Sequence, residues 1–323
     1  MEETKGLFFG KSSQKQKRSE QKMTAKNKKS YICVIGAAIA FGTMEIALKV
    51  GGASFPALQM TFLRFLIGGL VLLPFALVDL KKRGCRLNRA DLGYLFLLGI
   101  INTGFSMTLF QMGVMMTNAG LAAIIISTNP VFTMIFAHFL VNDRFTRKKA
   151  VVLILSVTGL FAVANPDSFD SGSSLKGILI VIVAAAGFGL YTALGKRRID
   201  KIGGLAQNSF SFLLGSVAEL IVLLAAGQPV FSGISADNIG VLLYVGVIVT
   251  GFGYVCYMKA IELAGPSTAS VSFFIKPVIA VILAALILDE KITWNMVVGM
   301  ILISAGFLYN LKGKAPAASE KEN

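Results

Sequence analysis

The segment AGLAAIIISTNPVFTMIFAHFLV, residues 119–141, returns at residues 266–288 as PSTASVSFFIKPVIAVILAALIL, and the two align without a gap. Asn129-Pro130-Val131 falls on Lys276-Pro277-Val278, an offset of 147 residues. Each apolar run closes on an acidic residue before a short loop: Asn142-Asp143-Arg144-Phe145-Thr146 after the first, Asp289-Glu290-Lys291-Ile292-Thr293 after the second. Downstream the register reaches Gly159 and Gly306. Upstream it pairs Gly99 with Gly246, Thr103-Gly104-Phe105 with Thr250-Gly251-Phe252, Gly68 with Gly215, Phe41-Gly42 with Phe188-Gly189 and Lys49 with Lys196. One duplicated unit thus makes up most of the chain, and such self-similarity outranks any short motif.

The composition places this duplication in a membrane. Hydrophobic residues make up 55% of the chain and charged residues 15%, with a mean hydropathy of +0.72, against about 25% charged residues in soluble domains. The net charge of +14 would suggest nucleic acid, but the basic residues lie in the tails and in alternate loops, as the positive-inside rule places them. Nucleic acid is therefore not an expected partner, whereas the bilayer is. Cys33, Cys85 and Cys256 are scattered, without metal or redox spacing. With His138 as the one histidine, a histidine triad or a multi-histidine metal site is excluded. Gly10-Lys11-Ser12 lacks the earlier glycine of a phosphate-binding loop, that position being Lys5. No cofactor is implied.

Residues 1–30 read as a basic, disordered cytoplasmic tail. Beyond it, apolar runs long enough for a hydrocarbon core about 30 Å thick lie at 31–50, 56–78, 92–112, 119–141, 150–165, 175–195, 205–226, 239–260, 266–288 and 293–311. The expected fold is all-α and integral to the membrane: ten transmembrane helices in two repeats, residues 31–165 and 175–311, joined by an extracytoplasmic linker at 166–174 and followed by a cytoplasmic tail at 312–323. Five spans per repeat force the second copy to enter from the opposite face, so the repeats are inverted. Charge agrees with this. The basic loop Lys81-Lys82-Arg83-Gly84-Cys85-Arg86 maps to a stretch near 228–236 without a basic residue, whereas the uncharged loop at 51–56 and the two residues before it map to a region holding Lys196, Arg197, Arg198 and Lys201, in which Lys196 alone has a basic counterpart, Lys49. Both termini, Lys82 and Arg147 are expected inside the cell, and Ser171 outside. Inverted repeats are a construction of secondary transporters, which place substrate near the midplane where they meet.

Phe41-Gly42-Thr43, Arg64-Phe65-Leu66, Asn129-Pro130-Val131 with Asp143-Arg144-Phe145-Thr146, and Pro277-Val278 with Glu290-Lys291-Ile292-Thr293 give the chain a further meaning. Together with the five-plus-five pattern, they resemble the EamA-type permeases of the drug/metabolite transporter superfamily over residues 31 to 311. The resemblance implies a basket of helices around a central cavity, with the fifth and tenth helices peripheral. It also implies transport of amino acids, other metabolites, nucleotide precursors or drugs, often outward. Asn142-Asp143 departs from the commoner Gly-Glu ending, which leaves the subfamily open. The resemblance leaves room for a homodimer.

Several residues are candidates for contact with a small-molecule substrate. Pro130 and Pro277 stand mid-run, where each would kink its helix and free the carbonyl four residues earlier. Asn129 and Lys276 precede them at similar midplane depth. A lysine there costs about 2.5–3.5 kcal/mol on insertion scales, so Lys276 either faces a water-filled cavity as counter-charge to an anion or pairs with a carboxylate, for which Glu45 is the best candidate. Glu45 and Arg64 also lie at comparable depth, so an ion pair between them is expected as well. Asn102, Gln111, Gln207 and Asn208 would be costly against lipid, and some of them should line the cavity. Glu219 is expected to lie in the outer part of its helix, near the headgroups. Ala38-xxx-Gly42 and Ala185-xxx-Gly189 fit close helix packing. The function expected is ATP-independent secondary transport, in the outward direction, of a small polar metabolite such as an amino acid or related organic anion. A non-transporting receptor or scaffold is the alternative, and an enzyme is not expected.

Overall fold

A computed structural model describes residues 28–141, 146–163, 173–269 and 271–312 of the chain. The basic tail up to residue 27, the Asp143-Arg144-Phe145 motif, most of the 166–174 linker including Ser171, and the tail beyond residue 312 lie outside the described residues. Those described are helical, with no strand among them. In chain order the helices are α1 (Lys28–Gly52), α2 (Ala57–Lys82), α3 (Arg89–Met115), α4 (Ala119–Leu140), α5 (Arg147–Val163), α6 (Leu175–Gly195), α7 (Gly204–Ala225), α8 (Ile239–Gly265), α9 (Val271–Ile287) and α10 (Trp294–Lys312).

Seven of these, α1 to α4 and α6 to α8, are long and apolar enough to cross a membrane, while Val271–Ile287 and Trp294–Gly306 are shorter apolar helices. Large apolar side chains face outward along them, among them Leu70, Leu77, Phe139, Phe161, Leu179, Leu224 and Leu286. Such a surface needs lipid rather than water around it.

Local chemistry sets the helix ends. Asn88 starts α3 with a reciprocal cap: its Oδ1 accepts from the Asp91 amide at 2.8 Å, and Asp91 Oδ2 accepts from the Asn88 amide at 3.1 Å. Ser174 Oγ accepts from the Gly177 amide at 3.0 Å to start α6. At Gly203 φ is +85°, and a Cβ would lie 2.3 Å from an Asp79 carboxylate oxygen. Only glycine therefore fits the sharp turn between the short helix Ile199–Ile202 and α7.

The helices depart from simple α geometry in three places. α3 and α8 each contain a π-helical stretch, Ile100–Met107 and Tyr244–Phe252, and these include the repeat-related Thr-Gly-Phe triplets. The wider ring gives a threonine hydroxyl access to the carbonyl five residues back: Thr250 donates to Val245 O at 2.9 Å. α4 is broken. Its first half, Ala119–Ile126, ends in a turn at Ser127 and Thr128, and Asn129–Val141 starts anew. This corrects the expected mid-helix kink at Pro130, which sits in the first turn of the second half, where a missing amide costs nothing. Pro277, by contrast, lies inside Val271–Ile287.

Contacts in one half recur in the other at the sequence offset. A Cβ on Gly42 would lie 2.7 Å from Ile279 Cβ, and one on Gly189 would lie 2.6 Å from Phe132 Cβ, the repeat equivalent. Likewise Gly68 meets Thr250 and the Gly246 carbonyl, while Gly215 meets Thr103 and the Gly99 carbonyl. The small-residue pairs thus serve close packing, with Ala38 and Ala185 buried beside them. α2 packs on α7, α5 on α10, the first half of α4 on α9, and its second half on α6.

Candidate functional site

A cavity of about 490 Å³ lies among α1 to α4 and α6 to α9. Its lining runs from Asn129 and Lys276, the residues preceding the two repeat prolines, to Lys196 and Ile199 at one end of the helices. Of the expected site residues, Arg64, Asn129, Gln207, Asn208 and Lys276 line it, as does Pro130.

The charged part of the wall is built by α1, α2 and α9. Lys276 Nζ lies 2.7 Å from Glu45 Oε1, with the two side chains 5% and 0% exposed. This is an ion pair aligned poorly for a hydrogen bond, and Glu45 Oε2 has no partner among the described residues. Arg64 donates from Nε to Thr250 Oγ1 at 3.0 Å, its Nη2 is 3.3 Å from Met44 Sδ, and its guanidinium stands 4.7 Å from the centre of the Phe65 ring. The expected Glu45–Arg64 ion pair is therefore corrected. Both residues are buried at similar depth, but Glu45 turns to Lys276, and Arg64 turns to the π-helical stretch of α8. The one carboxylate at hand takes the lysine, leaving the guanidinium with neutral partners.

The opposite part of the wall is neutral. Tyr191 donates to Asn208 Oδ1 at 2.6 Å, Asn208 Nδ2 donates to the Gly204 carbonyl at 2.9 Å, and Thr133 donates to the Asn129 carbonyl at 3.0 Å. The repeat offset explains this contrast: Glu45, Arg64 and Lys276 correspond to Thr192, Ser211 and Asn129. One cluster, drawn from both repeats, carries three charges where its repeat-related counterpart carries two hydroxyls and an amide. Aromatic rings fill the space between, with Phe41 stacked on Phe273 at 5.9 Å and set edge-on to Tyr254 at 5.3 Å.

The family model of EamA-like transporters matches residues 28–165 and again residues 175–311. The chain belongs to the EamA-like transporter family. An uncharacterized transporter of Clostridium kluyveri is 39% identical over 302 residues, covering 91% of this chain and 97% of that protein. The uncharacterized transporter YoaV of Bacillus subtilis is 25% identical over 278 residues, covering 86% and 94%. One crystal structure superposes with a TM-score of 0.59 at 15% identity, covering 88% of this chain and 96% of that one, a likeness of fold alone. The chain is a transporter and not an enzyme, and it is a multi-pass membrane protein.

In this transporter a polar cluster ties α1 to the start of α4 and to the loop after α9. Lys49 Nζ donates to the Thr117 carbonyl and lies 3.7 Å from Glu290 Oε1. The Glu290 carboxylate accepts from the amides of Ala119 at 2.7 Å and Gly120 at 3.1 Å, so it caps the first half of α4 where the helix dipole favours a negative charge. Lys49 is thus a bridge between elements, where a lysine near a helix end would by default reach for the headgroups.

The remaining candidates lie elsewhere. Gln111 donates to the Leu48 carbonyl at 3.0 Å and braces α1 against α3. Asn102 is buried in the π-helical stretch of α3, with neither amide atom hydrogen-bonded within the described residues. Glu219 is buried rather than at the headgroups, and it accepts from Thr108 Oγ1 at 2.6 Å. Sequence reasoning missed Tyr191, Thr192 and the aromatic lining, because a residue surrounded by apolar neighbours carries no periodic sign of facing a cavity. Comparing the halves at the offset would have shown Thr192 opposite Glu45.

Proposed function

We propose that this chain is a secondary transporter that moves a small polar metabolite, such as an amino acid or related organic anion, out of the cell by alternating access. In this reading the ten apolar runs all span the cell membrane as two inverted five-helix repeats, residues 31–165 and 175–311, with both termini in the cytoplasm. The offset contacts at Gly42 and Gly189 and the alternating loop charge support that arrangement. The end at Lys196 is then cytoplasmic, and the conformation described is open inward and closed at Lys49 and Glu290.

The observation that carries the substrate class is the pairing at the midplane. With Glu45 matched to Lys276 at 2.7 Å, Arg64 is the cation whose charge is left for a ligand. Its planar guanidinium suits a carboxylate, and Phe41, Phe188 and Tyr254 offer apolar surface to the rest of the molecule. A thermal-shift panel of amino acids and small carboxylates on the purified protein tests this. A ligand that binds the folded state raises the unfolding temperature. Anionic members are expected to do so for the wild type and not for Arg64→Gln. Stabilisation by cations alone, or by anions equally in both proteins, would contradict it.

A further inference from the structure

Four charged side chains are buried in α1, α2, α7 and α9, namely Glu45, Arg64, Glu219 and Lys276, of which Arg64 and Lys276 line the cavity. Two of them form the ion pair described above. Arg64 and Glu219 remain, each within electrostatic range of the other, yet no ion pair joins them among the described residues. Arg64 faces Thr250 and Met44, whereas Glu219 faces Thr108.

The surroundings of Glu219 are unusual for a carboxylate. Its Oε2 is buried without a hydrogen-bond partner among the described residues, as are Thr103 Oγ1 and both amide atoms of Asn102. Its Oε1 meets the hydroxyl of Thr108, which also lies 3.2 Å from the Thr103 carbonyl. One hydroxyl has one proton and cannot donate to both acceptors. If the carboxyl carries a proton on Oε1, it donates to Thr108, Thr108 donates to Thr103, and both contacts are satisfied. A lone carboxylate without a cation beside it is costly in such a site, and taking up a proton removes that cost. Of the other titratable groups nearby, Tyr254 on α8 and Glu45 on α1 lie around Arg64 on α2, and Tyr191 on α6 lies near Tyr254. Among them Arg64 is the one whose positive charge acts on Glu219.

We propose that Glu219 is a proton-binding site coupled to the anion held at Arg64. The coupling rests on the anionic reading of the cavity, whereas the proton site stands on the geometry around Thr108. With Glu219 ionised, the four buried charges sum to zero and an anion adds an unbalanced negative charge. With Glu219 protonated, the group carries one positive charge, which an anion neutralises. Proton and anion therefore favour each other's binding, and the effect is reciprocal. The pair crosses together without net charge, so export is indifferent to membrane potential and follows the combined concentration gradients of the metabolite and the proton.

Infrared difference spectra of the full-length protein in lipid, recorded across a pH titration, read the site without any ligand. Exposed carboxyls contribute the same titrating C=O bands to both proteins, and one further carboxylic-acid band is expected in the wild type that is missing from the isosteric Glu219→Gln. Titration spectra that are the same in the wild type and Glu219→Gln overturn the site. Calorimetry with benzoate as the probe anion, in buffers of differing ionisation enthalpy, reads the coupling. Above the midpoint of that band, wild-type affinity for benzoate should fall about tenfold per pH unit with proton uptake on binding, and Glu219→Gln should show neither effect. Benzoate binding without proton uptake overturns the coupling. Absence of benzoate binding beside a Glu219-dependent band counts against the anionic cavity and the coupling built on it, and leaves the proton site standing.

Discussion

Lys276 and Glu45 show how a buried charge is read and how the reading stops. Each is conspicuous as a lone charge in an apolar run, and the cost of burial says that it must find a partner. Which partner depends on the rotation of α1 and α2 about their axes, and depth in the sequence does not encode that rotation. Arg64 stands at the same depth as Glu45, yet its side chain reaches Thr250 on another helix. The ion pair predicts non-additivity: Lys276→Met and Glu45→Gln each strand a buried partner at a cost of about 3–5 kcal/mol, and the double variant should recover much of that loss. Denaturant unfolding of the three proteins checks it, and strictly additive losses would exclude the pair. Arg64→Gln is expected to fold while losing the stabilisation that anions give the wild type.

The helices themselves were legible from their apolar length, and the small-residue spacings correctly marked close packing. Breaks and π-helical stretches were not legible, because a run such as AGLAAIIISTNPVF is apolar on every side and bears no phase that a change of winding could disturb. The turn at Ser127 and Thr128 has a sequence sign in retrospect, since Pro130 fits a first turn better than an interior. Glu290 shows the same limit: its acidic position was evident, but its role as the cap of a helix in the other repeat requires the fold. Glu290→Ala removes that cap and should lower stability by about 0.5–2 kcal/mol, read as a fall in thermal midpoint, with no change expected from substituting the exposed Glu262. Gly42→Val and Gly189→Val should each cost about 1–3 kcal/mol by overpacking, since the added carbons would meet Ile279 and Phe132 at 2.7 and 2.6 Å. Equal losses at the two sites would reflect their equivalence in the repeat, and tolerance of valine at either would contradict the packing described.

For the molecule as a whole, the duplication was the most informative feature of the sequence, and it extends to the contacts that repeat at the same offset. What it left open is the difference between two repeat-related clusters, the charged triad Glu45, Arg64 and Lys276 and its counterpart Thr192, Ser211 and Asn129, because symmetry specifies only what the repeats share. Loop charge sets the orientation expected in the bilayer. With single cysteines in a cysteine-free background, an impermeant reagent should leave position 82 unlabelled in intact cells and label position 228, and the reverse pattern would invert the topology. The central claim is that the cavity carries solute across the membrane without ATP. Proteoliposomes containing the purified protein and no nucleotide, assayed with a radiolabelled panel of amino acids and small carboxylates, test it most directly. The expected result is saturable flux of an anionic member, lost in Arg64→Gln and in Lys276→Met. Flux that persists unchanged in both variants, or none for any member of the panel, would contradict the account.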